Sequence, residues 1–330
     1  MNLRYYFRLL SLFLGFILLA AAPVSAAQIN VVWTSEVGQF APLWVTKEAK
    51  LFEKYGNQVQ LIFIQGATSA AAALISGDAQ VGMFSPQVVI TTTMTGLDLT
   101  MFGRLGNTMD NRIFGRKGIK SIKEVKSIAI SRFGSNADFA ARYLLQREGL
   151  RPDTDVALLQ VGNQSNRIAA VETKNADAAI LTPPMTLQAR KLGYPLLIDS
   201  SKLGIPYSSL FFVARKSYLT KNRPDMVNFT KAMIEGIHLY RRNKEFSLKV
   251  LAKYMKVQDR EVLEENFREY DFPLKPYPDK EYFALPIQEV GKKDPKVLKE
   301  NPERFIDSSF VKELDASGFI DKLMQEYKLK

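Results

Sequence analysis

The sequence has no cysteine and only one histidine, His238. The first absence rules out disulfides, a thiolate nucleophile and thiolate-bound metal. With one imidazole, a histidine-built metal site is excluded as well. His238 falls within the helical pattern NFTKAMIEGIHLYRR and reads as structural. There is no H-E-x-x-H, no G-x-S-x-G and no other nucleophile–base motif. There is no G-x-x-x-x-G-K-[ST], and no G-x-G-x-x-G comes after a strand, so phosphate-loop and dinucleotide readings fail. Paired carboxylates are the catalytic chemistry left open. The turn regions hold few acids, Glu36 being the main exception. No catalytic residue, metal ligand or cofactor site is expected.

Long apolar runs are missing after the start of the chain. At the start, Arg4 and Arg8 precede an apolar stretch from Leu9 to Ala22, and Val24-Ser25-Ala26 forms a small-x-small site. This reads as a cleavable signal peptide over 1–26, with a mature start at Ala27 or Gln28, because the apolar core is too short to span a bilayer. The other reading is an uncleaved anchor. With no cysteine after the apolar stretch, lipid attachment there is excluded. The mature chain has about 300 residues, enough for two lobes of ordinary domain size. Export without lipid or disulfides suits a periplasm; full secretion is the alternative.

The formal charge is +11, two units of which belong to Arg4 and Arg8. Such a charge admits nucleic acid as a partner. The lysines and arginines are scattered, however. The densest stretch, YRRNKEFSLKVLAKYMK (240–256), carries apolar residues at helical spacing and reads as a solvated helix face. A basic surface also attracts small anions.

The sequence is rich in one pattern, an alternation of short strands and longer helices, as in parallel βαβ units. Ile29–Trp33, Val59–Ile64 and Val81–Phe84 read as strands. A helix is expected over Pro42–Tyr55, stopped by Gly56, and another over Ala70–Ser76. The plan then recurs. Ser35-x-x-Gly38-x-x-Ala41 returns as Ser131-x-x-Gly134-x-x-Ala137. LFEKYG (51–56) matches LLQREG (144–149), and VQLIFI (59–64) matches VALLQV (156–161). Gly66-Ala67-Thr68-Ser69 matches Gly162-Asn163-Gln164-Ser165, and VGMFSP (81–86) matches AAILTP (178–183). The chain thus contains two similar α/β lobes.

In open parallel sheets, ligands bind beyond the carboxyl ends of the strands. Every turn in this repeat lies there. Ser135 and Asn136 would offer hydroxyl, amide and backbone donors at a helix N-terminus, which also carries partial positive charge. Gly134 would let a ligand approach the backbone. The competing reading is that Ser135 or Asn136 caps its own helix.

These residues bear a resemblance. The stretches APLWVTKEAKLFEKYG, GATSAAAALISGDAQVG, SIKEVKSIAISRFGSNADFAARYLLQREGLRPDTDVALLQVG, RIAAVETKNADAAILTPP and DASGFIDKL resemble the periplasmic solute-binding proteins of ABC importers. More closely, the chain is similar to the group binding sulfonates, nitrate and thiamine-pyrimidine precursors, over roughly 28–325. The resemblance implies an α/β, two-lobed Venus-flytrap (type II periplasmic binding protein-like), each lobe a mostly parallel sheet flanked by helices. Lobe one would comprise 27–111 and 208–330, and lobe two 112–207. The chain would cross between them near RIFGRK (112–117) and YSSLFFVARK (207–216), both strand-like. Where the family often has Gly-x-x-Asp, this chain reads Gly77-Asp78-Ala79-Gln80 and Lys174-Asn175-Ala176-Asp177. These positions precede strands, so a change of shape is expected and not lost binding. The Cys and His residues of pyrimidine-forming eukaryotic relatives are absent, and that chemistry with them.

The expected function is capture of a small polar, anionic or heteroaromatic solute between the lobes, for delivery to an ABC permease and ATPase at the inner membrane. The protein would be a monomer with no cofactor and no nucleic-acid partner. A periplasmic sensor input and an enzyme on the same scaffold are the alternatives. Expected contacts are Ser35, Glu36, Gln39, Phe40, Thr68 and Ser85 in lobe one. In lobe two they are Arg132, Gly134, Ser135, Asn136, Asn163 and Thr182. Phe40 either stacks on a flat ligand or packs in the core. Arg132 either pairs an anion or is a surface charge. Glu36 would oppose a purely anionic ligand. Pro183-Pro184 either shapes the wall or only ends its strand.

Overall fold

The structure, a computed structural model, describes residues 28–329; the expected signal peptide at 1–26 lies outside the described residues. Ten strands are present among them. The first four are β1 (Gln28–Trp33), β2 (Gln58–Phe63), β3 (Val81–Phe84) and β4 (Leu99–Arg104). The next five are β5 (Arg112–Gly115), β6 (Ser127–Ile130), β7 (Ala157–Gln160), β8 (Ala178–Leu181) and β9 (Leu196–Asp199), and β10 is Phe211–Arg215. One sheet runs β2-β1-β3-β10-β4 and the other β7-β6-β8-β5-β9. The two orders are the same once β1, β2 and β3 are matched to β6, β7 and β8. In each sheet four strands point one way. The fifth, β10 or β5, lies antiparallel to both its neighbours. The inner strands are apolar on both faces because helices cover both sides: all of β3 and all of β8 are buried.

The reversed strands are the two stretches expected at the crossings. β5 begins at Arg112 as expected, whereas Tyr207–Leu210 stays irregular and β10 starts only at Phe211. The helix expected over Pro42–Tyr55 is in fact two, Ala41–Glu48 and Leu51–Lys54. Lys50 between them has φ +55°. This single left-handed residue turns the chain so that Phe52 stacks on Phe229 of the long helix Arg223–Arg242, with ring centroids 5.3 Å apart. An interrupted helix keeps nearly the same apolar periodicity, so the break left no mark in the pattern. The helix Ala67–Ser76 starts three residues earlier than expected.

The single histidine is structural in its setting. His238 is fully buried in Arg223–Arg242, and its Nε2 lies 3.0 Å from the Leu274 carbonyl oxygen. Burial holds its pKa below the usual histidine range. The basic stretch 240–256 is split at Asn243 between the end of Arg223–Arg242 and the helix Lys244–Met255, which buries Leu248, Val250, Leu251 and Met255 and leaves its lysines outward. Copy one departs from Gly-x-x-Asp at Gln80 and copy two at Lys174; Lys174 takes a left-handed φ of +60° where Gly77 has +90°, and the matched fourth positions, Gln80 and Asp177, each tie neighbouring strands together. Gln80 Oε1 accepts from the Asn30 backbone N–H, and Asp177 Oδ2 from that of Lys126. Glutamine and aspartate thus do one job in the two copies.

Among the described residues, no helix is long and apolar enough to cross a membrane.

Candidate ligand-binding site

The carboxyl ends of β1, β2 and β3 face those of β6, β7 and β8 across a cleft of about 500 Å³. That volume suits a small organic molecule. Ser35, Glu36, Gln39, Phe40, Thr68 and Ser85 line it from the first sheet, and Arg132, Ser135, Asn136, Asn163 and Thr182 from the second. Gly134 does not line it. Its N–H donates to Asp138 Oδ2 at 2.8 Å, and its φ is +78°. The glycine is needed for the turn and not for a ligand's approach, which corrects the expectation from sequence. Gly134→Ala is therefore expected to cost about 1–2 kcal/mol of stability through left-handed strain. Solute affinity should not change. Urea denaturation and calorimetric titration separate the two effects.

Local folding explains how several of these side chains are occupied. Ser135 caps the helix Asn136–Arg147 by accepting from the Asp138 N–H, and its hydroxyl donates to the Arg132 carbonyl at 2.6 Å. Asn163 caps Gln164–Glu172 in the same way through the Asn166 N–H. For Ser135 the capping reading is realised at the cleft wall; for Asn163 the sequence reading offered only a ligand contact. Phe40 packs among Trp33 and Trp44, with only 2% of its surface exposed. Glu36 is 2.7 Å from Lys256 Nζ, so its charge is countered within the protein. Pro184 lies just after β8 in the cleft wall, and the Pro183 carbonyl accepts from the Tyr270 hydroxyl at 3.0 Å.

Other side chains are left without partners. Ser85 sits at the N-cap of the helix Pro86–Met94 but makes no capping bond. Its Oγ is buried and unpartnered. The helix Ala67–Ser76 begins at Gly66 with no side-chain cap, leaving its first N–H groups for solvent or solute. Arg132 has no ion pair among the described residues. Its Nη1 would lie 3.7 Å from a Cβ placed on Gly66, so the guanidinium reaches from the loop after β6 to the loop after β2.

Arg167 was not foreseen from sequence. It lies one turn into Gln164–Glu172, lines the cleft and is 7% exposed. Its Nη1 donates to the Ile180 carbonyl, while its Nε has no partner. No carboxylate pairs with it among the described residues. Burial pushes the guanidinium down to about 9, still charged at neutral pH. Buried arginines are normally paired, and this one has no counter-charge among the described residues. The sequence signal was faint: one arginine a turn beyond the cap asparagine, in a chain rich in arginine and lysine.

Phe63, Gln65, Phe133, Gln164, Met185, Met255 and Val257 also escaped the sequence reading, as did Asn111 and Ser209 in the connecting segments. Phe63 and Phe133 are 46% and 50% exposed, one on each side. Both stand beside turns that were singled out. Met255 and Val257 come from a helix end remote in sequence from Ser35, and only the tertiary fold brings them there.

Comparison with known proteins agrees with this geometry. The family described as NMT1/THI5 like matches residues 37–245. A putative binding protein, YtlA, of Bacillus subtilis (strain 168) is 23% identical over 206 residues, covering 60% of this chain and 61% of that protein. The chain thus spans less than two thirds of that relative's length. The periplasmic aliphatic sulphonate binding protein SsuA from Escherichia coli superposes with a TM-score of 0.71 at 21% identity, covering 84% of this chain and 96% of that one. The periplasmic nitrate-binding protein NrtA from Synechocystis PCC 6803 gives 0.72 at 15% identity, covering 89% of each chain. The chain belongs to the NMT1/THI5-like family and has the two-lobed periplasmic binding protein fold.

Proposed function

We propose that this chain is the solute-binding component of an ABC importer, working in the periplasm. It captures a small organic anion between its lobes, 27–111 with 208–330 and 112–207, and presents it to a permease and ATPase in the membrane. The observation that carries the reading is the unpaired, buried Arg167 in the wall of a cleft lined from both sheets. Glu36 is countered by Lys256, so the charge left over in the wall is positive, from Arg132 and Arg167. Ser85 Oγ and the open start of Ala67–Ser76 add donors from the opposite sheet. Phe63, Phe133, Met185 and Met255 offer apolar surface for a carbon body. The fold and family support the assignment to import.

Mass spectrometry of solute released from natively purified protein is expected to yield an organic anion. Both lobes must contribute to one affinity. Gln39→Ala and Asn136→Ala are each expected to weaken binding of that solute roughly two- to tenfold, the value of a neutral hydrogen bond. Small-angle scattering should show a smaller radius with solute, as in hinge closure. A radius that never changes, with only one substitution having any effect, would place the solute on a single lobe and defeat the capture mechanism.

A further inference from the structure

Behind the cleft wall, and not among the residues that line it, lies a carboxylate with no counter-ion of its own. Asp110 lies in the segment that joins β4 to β5, next to the cleft-lining Asn111. Its Oδ2 accepts a hydrogen bond from Gln39 Nε2, across the boundary between the segment after β4 and the turn after β1. Its Oδ1 is buried and has no partner. An ionised carboxylate only accepts, so it must face the NH₂ end of the Gln39 amide. The other end, Oε1, is then not engaged by Asp110, on a side chain that lines the cleft. Among the described residues it takes no hydrogen bond. A wall otherwise rich in donors, from Arg132, Arg167 and Ser85, thus has an acceptor held in place at its base.

We infer that Asp110, acting through Gln39, decides which hydrogen-bonding chemistry the cleft accepts, and that the solute is an organic anion that also carries an N–H or O–H donor. The inference rests on the proposed solute-binding function and narrows its substrate class. Asp110 is a positioning residue here: it touches Gln39, and Gln39 touches the solute. An anion without a donor would leave Gln39 Oε1 facing it unpaired, which costs more than the bond itself is worth. The arrangement also depends on pH. Burial raises the Asp110 carboxyl to about 6, opposed by the Gln39 bond and the nearby Arg112 and reinforced by Glu269. The Tyr207 and Tyr270 hydroxyls are close enough to feel its charge, and both remain neutral. Below that pH the protonated carboxyl becomes a donor. The Gln39 amide then turns over, Oε1 toward Asp110, and presents NH₂ to the cleft.

The test uses the full folded chain, dialysed free of solute, and two matched pairs of anions: 4-hydroxybenzoate with benzoate, and 2-hydroxyethanesulfonate with ethanesulfonate. Calorimetry at pH 7.5 is expected to show the hydroxylated member of at least one pair bound roughly tenfold more tightly. The preference should shrink at pH 5. It should also shrink at pH 7.5 in Asp110→Asn, whose amide can donate to Gln39 Oε1 and mimic the protonated acid. In glutamine-labelled protein without solute, the Gln39 side-chain N–H resonances should move with a midpoint near the Asp110 value, and stay still in Asp110→Asn. Equal affinities within both pairs, no binding of any of the four, or a preference unchanged in Asp110→Asn would overturn the inference. A released solute that lacks a donor but still contracts the protein would overturn it while leaving the solute-binding function standing. No released solute and no contraction would instead remove the function on which it rests.

Discussion

Arg167→Met is expected to abolish tight binding of the native solute while leaving the empty protein at least as stable as before. The two halves of this expectation share one cause. Arg167 is buried without a carboxylate partner, and its pKa is lowered by burial. The lowered value means that the charged form is penalised by folding. That penalty is present at neutral pH and is relieved only as pH rises above about 9 toward the ordinary arginine range. Methionine removes the penalty and keeps much of the side chain's bulk. An anion would relieve it too, and loses that partner in the variant. Truncating one member of a buried, hydrogen-bonded charge pair costs ~2–5 kcal/mol, or roughly thirty- to several-thousand-fold in affinity. Titration with the released solute and urea denaturation of the empty protein measure both halves. A variant that binds normally would show that Arg167 does not touch the solute. A variant that binds poorly but is also much less stable would show a structural arginine, held by its bond to Ile180.

Arg112→Ala is expected to be the most destabilising of these substitutions, at about 3–5 kcal/mol, because it removes a buried guanidinium and strands two partly buried acids. Arg112 is 3% exposed, with Nε 3.0 Å from Asp199 and Nη2 2.6 Å from Glu269. Burial alone lowers its pKa, but Glu269 and Asp199 outweigh that and hold it above the ordinary value. The consequence reaches the cleft. Glu269 ends the helix Arg260–Glu269, which packs on Lys244–Met255 and is also tied toward the second sheet by Arg190–Glu265 at 2.8 Å and Lys191–Glu261 at 2.7 Å. Its Asn266 and the neighbouring Tyr270 support the turn after β1. A Cβ on Gly38 would meet Asn266 Oδ1 at 2.6 Å and the Tyr270 ring at 2.8 Å. Loosening this helix therefore frees the turn that carries Gln39. Arg112→Ala should lower the urea midpoint, and solute affinity should fall even at temperatures where the protein stays folded. Adding Asp199→Asn and Glu269→Gln should restore part of the stability, since the stranded charges are then gone. No recovery in the triple variant would mean that lost packing, and not uncompensated charge, is the cause.

The sequence by itself determined the alternation of strands and helices, the doubling of the plan, and the strand ends from which the cleft is built. The reason is that these properties are local. Apolar period, glycine at a left-handed turn and a cap residue before a helix are written in neighbouring residues, and the second copy repeats them. All the expected contact residues except Gly134 stand in the cleft wall for that reason, since each was taken from the end of a strand or the start of a helix. What those side chains do there was decided by tertiary structure. Ser135 and Asn163 spend their oxygens on capping, Gly134 spends its N–H on Asp138, and Glu36 meets Lys256 from a distant helix end. Arg167 and Asp110 show the limit most directly. An arginine in a basic chain and an aspartate before Asn111 carry no local mark of their burial. Whether a charge is solvated, paired or waiting depends on which distant groups fold around it, and the energy of leaving it unpaired exists only once water has been excluded.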